Sequence, residues 1–224
     1  MIEILSPGVM ASVQDMGRPY LRNLGVGSTG AMDDRSLSIA NLLVGNAPEA
    51  AGIEFTLGGF SLRFHQDTVF SLTGADAGAQ LDGEPVPAWW VRQARAGQTL
   101  KAGMAARGMR TMLAVTGGIA VPSVLGSRST DLKGGFGGHQ GRLLQAGDRL
   151  ETGPGEPPAM HAKGFGLSAG RLGLLAPQGE AIIRFLPAAE WAVHGAQIQE
   201  SFLASAWKVL PDSNRMGYRL SGPQ

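Results

Sequence analysis

The sequence contains no cysteine. Disulfides, thiolate nucleophiles and thiolate metal ligands are therefore excluded, and the absence fits a reducing compartment. Charge is scarce as well. Asp, Glu, Lys and Arg make up 17% of the 224 residues and sum to a net charge of +1. No basic stripe is present that would track a nucleic-acid backbone. No apolar segment approaches the ~20 residues of a membrane span. The start, Met1 to Gly8, has an acid at Glu3 and no long apolar run, unlike a secretion signal. The expectation is a soluble cytoplasmic protein, with no nucleic acid and no membrane among its partners. Histidine is rare: His65, His139, His161 and His194 are scattered, without the short spacing of a zinc site, so no metal site is expected. G-x-S-x-G occurs once, at Gly166 to Gly170 at the end of a Pro- and Gly-rich stretch and not on a strand-to-helix turn, so an α/β-hydrolase serine is not expected.

Glycine is abundant instead: 34 residues, with 13 prolines and no repeat period. That is about twice the usual ~7%. Together with 43% hydrophobic residues it describes a globular chain of short strands and many tight turns. Ile2 and Ile4 alternate with polar residues before Pro7-Gly8 and predict a first strand. Asp33 is a good N-cap for a helix whose apolar side carries Leu37, Ala40, Leu43 and Val44, ended by Gly45 or Asn46. Asn41 falls near that apolar side and must find partners for its amide, so it is expected to hold nearby loop backbone. Ile53-Phe55-Leu57, Gly58-Gly59 and Phe60-Leu62-Phe64 read as a β-hairpin. Asp82-Gly83 reads as a second hairpin turn. Val69 to Leu72 and Thr111 to Thr116 read as strands, with Trp89 and Trp90 as core and rim. Beyond the Pro- and Gly-rich stretch 153–169, strands are expected at Arg171 to Leu175 and Ala181 to Leu186, a helix at Glu200 to Trp207, and a strand at Trp207 to Leu210. The domain reading is a first β domain at 1–152, a linker at 153–169 and a partial second β domain at 170–224. A mainly β architecture, barrel or sandwich, follows.

The densest chemistry lies after the strand that ends at Thr116. Between Ser127 and Asp131 stand three hydroxyls, the guanidinium of Arg128 and a carboxylate. The run from Gly134 to Arg142 follows, with five glycines. No Gly-Lys-Ser/Thr follows it, so as a nucleotide signal it is weak; as a loop whose amides approach an anion it is reasonable. A second polar concentration surrounds Asn214, Arg215 and Gly217, and a third is Gln14, Asp15 and Arg18. A guanidinium fork suits a carboxylate, carbamate or phosphate, and hydroxyls with an Asn amide can polarise a carbonyl. The competing reading is an Arg that only ties loop carbonyls together, and composition alone favours it.

Ser12-Val13-Gln14-Asp15 with Gly17-Arg18, Gly30-Ala31-Met32-Asp33, Ala40 to Asn46, Gly117-Gly118-Ile119, Gly126 to Thr130 and Ser213 to Gly217 with Arg219-Leu220 occur here in the order of a known family. The chain resembles the KipA family, also called allophanate hydrolase subunit 2, biotin-dependent carboxyltransferase family, or the C component of the bacterial 5-oxoprolinase. The resemblance implies a cyclophilin-like β-barrel domain followed by a second one. That second barrel is expected to be incomplete, because family members continue well past Leu220. It also implies an oligomer or complex: a KipI-like partner subunit, with a biotin carrier or a LamB/YcsF-type subunit alongside. Carboxybiotin would arrive on a partner, since no Ala-Met-Lys-Met-type biotin site is present, and ATP would be used by the complex. The function implied is a subunit of a carboxyltransferase or 5-oxoprolinase-type enzyme acting on an amide, urea or lactam. The alternative is a non-catalytic regulator that binds a KipI-like partner; prolyl isomerase activity is a weaker third reading. In the enzymatic reading Arg128, Asn214 and Arg215 are the catalytic candidates. Ser127, Ser129, Gln14, Asp15 and Arg18 are the substrate-binding or bracing candidates.

Overall fold

Alternating apolar residues make the strands, and their pairing makes two sheets. The computed structural model describes residues 1–175, 182–215 and 217–222. They divide into two compact units, Met1–Gln178 and Gly179–Gln224. In the first unit the elements run β1 Ile2–Pro7, β2 Met10–Gln14, α1 Asp34–Leu43, β3 Gly52–Thr56, β4 Phe60–Phe64, β5 Thr68–Asp76, β6 Gln80–Leu81, β7 Glu84–Pro85, β8 Trp90–Ala94, β9 Thr99–Lys101, β10 Arg107–Val115, β11 Arg149–Leu150 and β12 Phe165–Gly166. One six-stranded sheet has the order β11-β1-β4-β9-β6-β7, the other β12-β8-β5-β10-β3-β2. Their described pairings are antiparallel.

The inner faces share one apolar core. Ile2, Ile4, Leu62 and Leu100 come from the first sheet; Val13, Ile53, Leu72 and Leu113 come from the second. Phe55 and Phe60 stack across the sheets with ring centroids 3.8 Å apart, and Phe64 and Phe70 do so at 5.1 Å. This explains a departure from the expected pairing. Residues 53–64 do not form a hairpin: β3 pairs with β2 and β10, whereas β4 pairs with β1 and β9. Leu57, Gly58 and Gly59 all have positive φ, and they carry the chain from one sheet to the other. Alternation alone marks which residues face the core; it does not say from which sheet. The Asp82-Gly83 turn does join a hairpin, β6 to β7.

Helix α1 covers the outer face of the second sheet. Ala40 and Val44 pack with Val69, Val91 and Ala114. Two strand hydroxyls fasten it: Ser71 Oγ donates to the Ala40 carbonyl and Thr73 Oγ1 to that of Ser36, both at 2.7 Å. Asp33 caps it as expected, accepting from the Ser36 amide at 2.9 Å. Asn41 is fully buried and holds loop backbone, donating to the Ala50 carbonyl at 2.7 Å and accepting from Asn46 Nδ2 at 3.0 Å. Asn46 in turn accepts from the Gly117 amide at 2.8 Å. The helix end is thereby tied to the start of the loop after β10.

Residues 153–169, expected as a linker, run along the first unit. Phe165 and Gly166 pair with Val91 and Trp90. Glycine permits the approach: a side chain at Gly166 would strike the Trp89 carbonyl, 2.3 Å from the Cβ position. In the second unit, helix α2 Ala196–Ala204 precedes β13 Lys208–Val209 and β14 Leu220–Ser221, which pair. The helix expected at Glu200 to Trp207 thus begins and ends earlier, and the strand expected after it is present. Strands expected at Arg171 to Leu175 and Ala181 to Leu186 do not form among the described residues; Ala181 lies outside them. Ile182, Ile183 and Leu186 are more than four-fifths exposed. Their β-forming residue types find no partner strand among the described residues, and an unpaired strand is not stable in water.

Candidate active site

The loop after β10 is folded around one carboxylate. Asp15, just past the end of β2, is 8% exposed. Its Oδ1 accepts from the hydroxyls of Ser127 and Ser129, both at 2.6 Å, and from the Gly17 amide at 2.7 Å. Its Oδ2 accepts from the Arg128 amide at 2.5 Å. The Asp15 amide donates to Ser129 Oγ at 2.9 Å, and the Ser129 amide to Ser127 Oγ at 2.9 Å. An ionised carboxylate has about four acceptor directions, and this one is fully engaged by its own chain.

Arg18 is the second brace. It is 2% exposed, and its guanidinium donates to the Ser129 carbonyl at 2.6 Å, to Thr29 Oγ1 at 2.7 Å and to the Val124 carbonyl at 3.3 Å. Its plane lies over the Phe136 ring, 4.9 Å from the centroid. Gln14 is fully buried, with Nε2 donating to Ser12 Oγ at 3.0 Å and to the Thr130 carbonyl at 3.4 Å. Its Oε1 has no partner among the described residues. Gln14, Asp15, Arg18, Ser127 and Ser129 are thus brought together, and they brace the loop from within. Thr29 and Phe136 complete the Arg18 site, and nothing in the residue pattern singles them out. Their one signal in sequence is that each stands in a Gly-rich stretch.

Arg128 is placed differently. Its amide is fixed by Asp15, and its Nε donates to the Val121 carbonyl at 3.0 Å. The side chain is exposed. Among the described residues its two terminal Nη groups make no hydrogen bond. A rigid backbone therefore presents the outer edge of a guanidinium to solvent, a geometry suited to a carboxylate or another planar anion.

The glycine run 134–142 is mostly tied to its own loop rather than open as an anion cradle: six of its nine amides donate internally. The Gly134 amide donates to Asp131 Oδ1 at 2.8 Å, Gly135 to the Asp131 carbonyl at 2.8 Å, Gly138 to the Arg128 carbonyl at 3.1 Å and Gly141 to the Gly137 carbonyl at 2.8 Å. The glycines are there for close packing. A Cβ on Gly137 would lie 2.3 Å from the Ser129 carbonyl oxygen, and one on Gly138 1.9 Å from Thr130 Oγ1. The run ends in a bidentate pair: Arg142 Nη1 and Nη2 reach Asp148 at 2.7 and 2.8 Å, with His139 Nε2 3.4 Å away. Those hydrogen bonds hold the Asp148 carboxyl down to about 2 and raise the Arg142 guanidinium.

Asn214 and Arg215 stand on the turn between β13 and β14 of the second unit. The Asn214 amide donates to the Gly217 carbonyl at 3.0 Å. Among the described residues no three His, Cys, Asp or Glu side chains gather as metal ligands, and no helix is long and apolar enough to cross a membrane.

The family described as carboxyltransferase domain, subdomain A and B, matches residues 24–224. The chain belongs to the carboxyltransferase domain family. It is 43% identical to the C component of the 5-oxoprolinase of Escherichia coli, over 99% of this chain and 69% of that protein. It is 37% identical to the urea amidolyase of Saccharomyces cerevisiae, over 100% of this chain but 12% of that protein. The solved urea amidolyase of K. lactis superposes with a TM-score of 0.83 at 34% identity, covering 99% of this chain and 14% of that one. Kinship with 5-oxoprolinase and with urea carboxylases, expected from the motifs, is thus found. This carboxyltransferase domain is mainly β, as its residue pattern indicated. It spans about two thirds of the 5-oxoprolinase components it matches and a small part of the urea amidolyases.

Proposed function

We propose that this carboxyltransferase domain is part of a multisubunit, ATP-using enzyme that acts on the carbonyl of a lactam, amide or urea. Arg128 holds the anionic group of a reactant. The observation that carries this reading is the contrast between Arg128 and Arg18. Both lie in the same loop system, but Arg18 is buried with each of its three nitrogens donating to an acceptor of the loop, whereas Arg128 has a fixed backbone and an outward guanidinium edge. A loop that needed only internal ties would not require the second guanidinium to face solvent.

Carboxybiotin fits the donor set, because its carboxylate matches the Arg128 fork; when bound it supplies a transferable carboxyl group. Ser127 and Ser129 orient the arginine through Asp15 rather than touching the reactant. Asn214 and Arg215, from the second unit, are proposed as a carbonyl donor and a second cation. Most amides of the glycine run are used within its own loop, which does not suit a nucleotide triphosphate, so ATP is assigned to a partner subunit. A KipI-like subunit, with either a biotin carrier or a LamB/YcsF-type subunit, is the proposed company, in the cytoplasm. The 5-oxoprolinase type is preferred, because the chain covers most of that relative's length at 43% identity.

The test is reconstitution with the partner subunits and measurement of ATP-dependent 5-oxoproline opening, alongside biotin-dependent urea carboxylation. Arg128→Ala is expected to lower turnover about 100-fold or more, on the scale of removing one charge-stabilising donor, with the complex still assembled. A fully active Arg128→Ala complex overturns the assignment. An assembled wild-type complex without either turnover supports the regulatory alternative.

A further inference from the structure

A cleft of about 390 Å³ opens in the first unit between strands β6 to β8 and residues 160–162 of the segment that runs along them. Both walls are fixed. Met160 packs on the cluster of Ala40, Val44 and Val91. Just beyond it, the Gly164 amide donates to the His161 carbonyl at 2.8 Å, and Trp90 Nε1 donates to the Lys163 carbonyl at 2.9 Å. Gly164 has φ +76 and stands hard against β8. A Cβ there would lie 1.9 Å from the Val91 carbonyl oxygen and 3.1 Å from Arg92 Cδ. The stem of Arg92, which lines the cleft, is thereby packed against this turn.

Three side chains bring unused donors to the cleft from three separate segments. Arg92, half-buried on β8, has one long contact, Nη1 to the Pro85 carbonyl at 3.5 Å. Its Nε and Nη2 make no hydrogen bond among the described residues. Gln98, on the turn into β9, accepts from the Arg95 amide through Oε1 at 2.8 Å, and its Nε2 donor is left over. The ring of His161 makes no hydrogen bond or ion pair among the described residues. A half-buried guanidinium costs desolvation unless an acceptor answers it. Arg95 is different, being paired with Asp67 at 3.6 Å. The lining carboxylate, Glu84 on β7, is exposed and makes no hydrogen bond or ion pair among the described residues, so it does not answer Arg92.

We propose that this cleft binds a phosphate monoester whose carbon part carries hydroxyls. The phosphate meets Arg92, Gln98 and His161, a hydroxyl donates to Glu84, and the carbon skeleton lies against Met160. A phosphate has three strong acceptor oxygens, one for each of the three donors, whereas a carboxylate has two. Glu84 is then matched by a donor rather than set against a second anion. The volume lies within the range of small-ligand pockets and exceeds what a bare phosphate fills. No Phe, Tyr or Trp lines the cleft, so a sugar phosphate fits it better than a nucleotide, whose base would have no ring to stack on. Arg128 and its loop do not line it, and the site is independent of the Arg128 reading.

Chemical-shift titration of the full chain with glucose 6-phosphate tests this, with glucose and inorganic phosphate as the two halves of the ligand. Saturable shifts at Arg92, Gln98 and His161 are expected with glucose 6-phosphate. Inorganic phosphate should bind about 10-fold more weakly, and glucose not at all. Arg92→Ala and His161→Ala should each weaken glucose 6-phosphate about 10-fold, the scale of one hydrogen bond to a charged group. Glu84→Ala should bring its affinity toward that of inorganic phosphate. His161 is exposed, so His161→Ala carries the test even where Arg92→Ala lowers the melting temperature. Absence of saturable shifts at these residues, shifts confined to Arg128, equal affinity for inorganic phosphate, or wild-type affinity in His161→Ala overturns the proposal.

Discussion

Asp15 organises the candidate site without meeting a reactant. Removing its carboxylate leaves the Ser127 and Ser129 hydroxyls and the Gly17 and Arg128 amides without their acceptor. Asp15→Ala should therefore cost about 3 kcal/mol in urea unfolding, the scale of a broken buried network. Arg128→Ala, with its exposed side chain, should stay within about 0.5 kcal/mol of wild type. Similar losses for the two variants would contradict the division into brace and anchor. Asp148 makes a pH prediction. Its folded value, about 2, lies below the unfolded ~3.9. The Arg142 pair thus contributes stability fully above the unfolded value and loses it as pH falls toward 2. In Arg142→Met the Asp148 titration, followed by carboxyl NMR, should move up and that acid-side dependence should shrink. The polar residues of this site were legible as local concentrations around Gly17 and Arg128. Which of them face solvent was not, since Arg18 and Arg128 stand in similar company in sequence and differ only in what folds over them.

At the scale of elements, the Gly58-Gly59 corner shows what pattern reading misses. Two alternating runs around two glycines read as a hairpin, yet they serve opposite sheets. Gly58 has φ +86, and a Cβ there would lie 2.2 Å from the Gly103 carbonyl oxygen. Gly58→Ala should lower stability by about 2 kcal/mol or more, measurable as a shift in denaturant midpoint at unchanged slope. Helix α1 was readable from its cap and its apolar spacing, both local. Asn41 was readable as a buried amide in need of partners, because burial of an unpaired amide is costly wherever it happens.

At the scale of the molecule, two sheets share one core, and the aromatic pairs that bridge them are its cross-braces. Phe60→Ala removes the ring that stacks on Phe55 across the sheets. It should cost about 3–5 kcal/mol and lower the thermal midpoint of the first unit as one cooperative step, seen by calorimetry. A loss under about 1 kcal/mol would mean that the sheets are not coupled through this pair.

The sequence by itself determined the mainly β character, the helix and its cap, the glycine-dependent turns and the clusters of polar groups. Each depends on near neighbours or on alternation, and both are written along the chain. Only the tertiary structure decided which sheet each strand joins, that residues 153–169 run along the first unit, and that the glycine run is filled rather than open. It also decided that Asp15, more than a hundred positions before Ser127, is the acceptor on which the arginine loop is folded. Those facts depend on contacts between distant segments, and a carboxylate's ordinary preference for donors does not say which donors will reach it first.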